Sequence, residues 1–163
     1  MPAKNPVTYS DPAVTPFSFT FDVSDHLLVV QAADESVSSY SVMPNGMLKV
    51  VSQNVSSGDV SPCWIVGNGI GPIFTTNPGG LGTIASYKDW VPTGKLTLLN
   101  GLASEGYASV DEGISHDGQF LYALAPGNGV DGFKIASNGN LTSLGASFAY
   151  PGITLYAQGI AVW

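Results

Sequence analysis

Few side chains in this sequence can hold a proton, a metal or an acyl group, so the ones that can are informative. Asp111 and Glu112 are adjacent acids, Cys63 is the single cysteine and stands beside Trp64, His26 follows Asp25, and His116 lies between Ser115 and Asp117-Gly118. Two carboxylates could serve as a general base, or as ligands for a cation such as calcium, which gathers several oxygens at roughly 2.3 to 2.6 Å. Their competing role is structural, as acceptors for turn amides between strands. A cysteine becomes a nucleophile only when a nearby base makes the thiolate. No histidine falls near Cys63 in its unit, which reads it as a small buried residue. Trp64 offers a flat wall on which a sugar or lactone ring would stack, or equally a core tryptophan. Both histidines fall at turns and are read as turn residues.

The elements that must position these groups form a repeat of about 46 residues. Val37 to Val42 followed by Asn45-Gly46, Ile84 to Tyr87 followed by Thr93-Gly94, and Val130 to Ile135 followed by Asn138-Gly139 share one template. Upstream of each lies a pair of short apolar runs: Phe17 to Phe21 with Leu27 to Val30, Cys63 to Val66 with Ile73 to Thr75, and Gly113-Ile114 with Phe120 to Leu124. The runs are β-branched or aromatic, strand-sized, and lack a helical stripe. Asn-Gly favours a tight hairpin, because both residues tolerate positive φ. Each unit therefore reads as four short strands, which predicts an all-β fold, a β-propeller of four-stranded antiparallel blades. An immunoglobulin-like sandwich has similar strand density but no reason to repeat at a fixed period.

The predicted blades span about 16–55, 60–102 and 107–146, with loose strands at 5–10 and 157–163, about three and a half blades of a ring. Closed propellers need at least four. The open array predicts wet terminal faces and closure through a second copy or a missing N-terminal half. Innermost strands line the tunnel, and alignment of the units starts them at Ser18-Phe19, Cys63-Trp64, Asp111-Glu112 and Ala157-Gln158. Glu112 and Asp111 become the catalytic candidates, pointing to opposite faces as strand neighbours. Trp64, Cys63 and Gln158 are the rim candidates for substrate binding, joined by Asn77 and Asn128 from loops between second and third strands. The glycines of those loops make sharp turns but no phosphate loop, since neither Gly-Lys-Ser nor Gly-Lys-Thr follows.

The series Ser61-Pro62-Cys63-Trp64-Ile65-Val66, Ile73-Phe74-Thr75-Thr76-Asn77, Ile84-Ala85-Ser86-Tyr87, Gly94-Lys95-Leu96-Thr97-Leu98, Asp111 and Ser115 to Tyr122 resembles the lactonase-type β-propellers. That group includes propeller 6-phosphogluconolactonases and fungal carboxymuconate-lactonising enzymes, and the likeness runs from Val14 onward. It implies a seven-bladed ring whose last blade is completed by the N-terminal part of the chain, and lactone hydrolysis or lactonisation at the tunnel rim. The family's Arg-His pair at an innermost strand is matched here by Cys63 and Trp64, which departs from a site for phosphorylated lactones. The alternative is a non-catalytic propeller that binds a protein or small ligand, or an inactive fragment.

Composition sets the outer limits. The 163 residues carry five basic and twelve acidic side chains, a formal charge of −7, with lysine as the only strong base. Without arginine there is no bidentate fork for phosphate or carboxylate, and an acidic chain is a poor partner for nucleic acid. The expected ligand is a small lactone or sugar acid, with no cofactor, no resident metal and no membrane partner. No apolar run has the length of a membrane span or a signal-peptide core, which predicts a cytoplasmic location. The sequons at Asn54 and Asn140 occur at about the rate chance gives in a chain rich in Asn, Ser and Thr.

Overall fold

A computed structural model of the chain describes residues 5–10, 15–69, 71–105, 108–127, 129–148 and 157–163. Twelve strands form three four-stranded sheets, each a simple antiparallel meander. The first holds β1 (Pro16–Phe21), β2 (His26–Gln31), β3 (Ser36–Val42) and β4 (Leu48–Ser56). The second holds β5 (Ile65–Val66), β6 (Ile73–Asn77), β7 (Thr83–Trp90) and β8 (Lys95–Ser104). The third holds β9 (Asp111–Ile114), β10 (Phe120–Ala125), β11 (Gly129–Ile135) and β12 (Leu141–Phe148). A single 3-10 turn, Ala32–Asp34, is the one helical element among the described residues.

The sheets stack side by side as blades, inner strands beside inner strands and outer beside outer. Each seam has its own core. Leu28, Val30 and Val37 of the first blade meet Ile65, Ile73, Ala85 and Tyr87 of the second. On the opposite face of the second blade, Phe74 and Ile84 meet Ile114, Leu121, Ala123 and Phe133 of the third. The strand period of two makes this possible, because successive side chains in β6 and β7 serve different seams. Polar bonds stitch the seams as well: Ser39 donates to the Gly94 carbonyl (2.6 Å) and the Leu96 amide donates to Ser52 Oγ (3.0 Å). Asn100 Nδ2 donates to Asn140 Oδ1 (2.9 Å) across the second seam.

The outer hairpins turn as the sequence predicts. Gly94 and Gly139 adopt φ of 70° and 84°. A side chain there would be strained, and it would also strike the preceding blade: a Cβ on Gly94 would come 2.6 Å from the His26 ring, and one on Gly139 would collide with Ser86 Oγ.

Two expectations change. Residues 5–10 and 157–163 are not in strands. They nevertheless lie where strands of neighbouring blades would. Tyr9 packs edge-on against Tyr40 with ring centres 5.7 Å apart, and the Ile160 amide donates to Asp111 Oδ2 (2.8 Å) beside β9. The second change is one of phase. Ile73 pairs with Tyr87 as Leu121 pairs with Phe133, and Thr75 pairs with Ile65 as Ala123 pairs with Glu112. Trp64, not Cys63, therefore shares the column of Asp111, and Ile65 that of Glu112.

Candidate functional site

At the rim where the inner strands begin, Asp111 and Glu112 diverge as strand neighbours must. Asp111 faces away from the second blade. Its Oδ1 accepts from the Glu112 amide (2.7 Å) and its Oδ2 from Ile160. Burial raises its pKa and those two amide bonds lower it, for a net rise. Glu112 shares a face with Ile114 and Ala123 and points into the seam with the second blade. It is 5% exposed, and neither carboxyl oxygen has a hydrogen-bond partner among the described residues. The nearby Thr76 amide offers partial relief, being engaged with the Trp64 carbonyl at 3.2 Å. Desolvation first, and the charge of Asp111 second, hold Glu112 well above the usual carboxylate range.

The other rim candidates take different places. Trp64 is half-buried, its ring 5.2 Å from that of Phe17. Cys63 is half-buried with its thiol directed at the Ser61 carbonyl (3.5 Å), its pKa raised by burial, so it is no thiolate at neutral pH. Ser18 Oγ donates to the Cys63 carbonyl, joining the starts of β1 and β5. Asn77 is wholly buried at the end of β6, donating to Thr83 Oγ1 (2.9 Å), so its amide is spent inside the sheet. Gln158 is exposed. Asn128 lies outside the described residues. The structure thus sets the Trp64 ring against Phe17 of the first blade and Glu112 in the seam between the second and third blades, and leaves Gln158 exposed in the residues after the third blade.

At the opposite end lies a cluster that sequence reading missed. His26 Nδ1 is 2.7 Å from Asp22 Oδ2, and Asp22 Oδ1 accepts from the amides of Ser24 and His26, both at 2.8 Å. Asp89, at the end of β7, lies close enough to Asp22 for their charges to interact. Burial, then the Asp22 charge, push Asp89 up to about 6, and those backbone bonds together with His26 pull Asp22 down against its own burial. The turn expected at His26 falls at residues 23–24 instead; His26 itself opens β2, paired with Ser41, at a point where two blades meet. Among the described residues, no three His, Cys, Asp or Glu side chains gather as metal ligands would. No helix among them is long and apolar enough to cross a membrane.

Comparison with solved structures gives the fold its context. The chain is similar to a candidate 6-phosphogluconolactonase from Bacteroides fragilis, at TM-score 0.72 and 18% identity, over 85% of this chain and 40% of that one. The fold is that of a β-propeller, here in part. A second similar structure, from Lactobacillus plantarum, is 25% identical at TM-score 0.64, over 79% of this chain and 40% of that one. Virginiamycin B lyase from Staphylococcus aureus is 18% identical at TM-score 0.55, over 83% of this chain and 42% of the lyase. The propeller chain thus spans about two fifths of the length of the structures it matches. No protein-family model matches it, and no curated protein does.

Proposed function

We propose that the chain is part of a lactonase-type propeller that takes a small lactone at the rim where the inner strands begin, with Glu112 as its proton donor. One observation carries this reading: Glu112 is a carboxyl that burial holds well above the usual carboxylate range, with no side-chain partner for its oxygens among the described residues, set at the start of an inner strand. Water adds to the lactone carbonyl, the bond from that carbon to the ring oxygen breaks, and Glu112 gives its proton to the departing oxygen. The carboxylate then recovers a proton from the oxygen that water supplied, so the acid is restored and a hydroxy acid leaves. Trp64 stacks on the ring with Cys63 beside it, while Asp111 acts by fixing the strand start. With no arginine, the favoured substrate is an uncharged lactone. Ring closure comes from a second copy or from further blades.

A second reading, a binding propeller without chemistry, is favoured by one specific feature: both Asp111 oxygens are committed to backbone amides and Asn77 is sealed in its sheet. Acid release from uncharged γ- and δ-lactones, followed by titration at constant pH, separates the two. Glu112→Gln is expected to lower turnover by about 100-fold or more, the scale of a lost general acid, with the urea midpoint retained. No hydrolysis by the parent chain, or equal rates in the variant, would leave the binding reading in place.

A further inference from the structure

The face of the first blade that looks away from the second is built like the faces that the second and third blades bury. Leu27 pairs with Tyr40 as Ile73 pairs with Tyr87 and Leu121 with Phe133, and Val29 takes the column of Thr75 and Ala123. Phe19 shares the column of Ile65 yet is 66% exposed where Ile65 is 7% exposed. The outer part of this face is covered from within the chain. Tyr9 lies on Tyr40, and Val7 occupies the space beside Gly46 that His26 occupies beside Gly94. The inner part is open, a cleft of about 520 Å³ lined by Phe19, Phe21, Leu27 and Val29.

At the other end of the array, residues 157–163 run beside β9. Ile160 and Val162 are half-buried there, Val162 over Gly113, while Ala161 is exposed and Trp163 is 97% exposed. That alternation is the period of an extended segment with one side seated and one side free. The segment holds the place of an inner strand that follows the third blade, so its free side is the surface that a further blade's open face would meet.

We propose that the open inner face of the first blade receives residues 159–163 of a second copy of this chain, a head-to-tail contact that repeats the internal seams. The two surfaces answer each other in chemistry. Neither Phe19, Phe21, Leu27 and Val29 nor Gly159 to Trp163 includes a charged side chain, although the chain as a whole carries −7. Contact therefore opposes no local repulsion, and salt, by screening the remaining charge, strengthens it. The contact is heterologous: each copy offers one face and one tail, so copies close into a ring where the rotation allows and extend where it does not. This inference rests on ring closure by a second copy and is independent of lactone chemistry.

Complementation tests it. Phe19→Asp with Phe21→Asp disables the face, and Ala161→Asp with Trp163→Asp disables the tail; all four side chains are exposed, so the fold is retained, as far-ultraviolet circular dichroism and urea midpoints check. By light scattering, the parent chain is expected to run above monomer mass, more so in salt, and each variant alone to run as monomer, its association weakened about tenfold or more as for loss of an interface anchor. An equimolar mixture is expected to give a one-to-one dimer, because one intact face and one intact tail remain. A monomeric parent overturns the proposal, including one that binds an apolar dye at the open face and so awaits another occupant. A tail variant that still self-associates, or a mixture that stays monomeric, overturns it as well.

Discussion

Three side chains at the seam end opposite the rim show how position changes the meaning of a residue. His26 reads in the sequence as a turn residue, whereas it is the first residue of β2, just past the turn, and its bond to Asp22 and the approach of Asp89 join β1, β2 and β7, which no local pattern announces. With its pKa raised from 3.8 to about 6, Asp89 holds its proton longer folded than unfolded. The folded state then binds more protons across that interval, so this group's contribution to stability is full below about pH 4 and declines as pH rises toward 6. Asp89→Asn removes this decline. Urea unfolding between pH 4 and 7 should show a shallower fall in stability for the variant than for the parent, and parallel curves would exclude Asp89 as the source. Asp111 and Glu112 were legible as a pair on opposite faces. That one is tied by amides and the other walled into a seam follows from the third dimension alone.

Strands and turns were the most readable level, because they rest on local chemistry. Asn45-Gly46, Thr93-Gly94 and Asn138-Gly139 mark the outer hairpins, and each blade's order follows from them. The reading slipped by one residue in β5, where Pro62 to Val66 is apolar throughout and has no alternation to fix its phase. It also named residues 5–10 and 157–163 as strands from their likeness to the repeat, whereas strand pairing needs a neighbour that the described residues do not supply there. Gly94→Ala tests the hairpin's fit to the blade before it. Positive φ and the collision with His26 together should lower stability by about 1 to 3 kcal/mol in urea unfolding. A loss below about 0.5 kcal/mol, the range of an ordinary surface change, would mean that the turn shifts freely.

At the scale of the molecule, the apolar interior is divided between two seams, separated by the sheet of the second blade. That blade is covered on both faces, whereas the first and third each face one neighbour. In dilute, monomeric protein, amide hydrogen exchange is therefore expected to be slowest in β6 and β7 and fastest in β1, with protection differing by about tenfold or more, since local openings draw on separate contacts. Equal protection in all three sheets would show a single cooperative unit instead. Tyr87 and Phe74 belong to one sheet but project into different seams. A lesion at either is consequently felt by one junction, so sequence drift in such an array accumulates piecemeal, and erosion of a terminal module shortens the row without scrambling what is left.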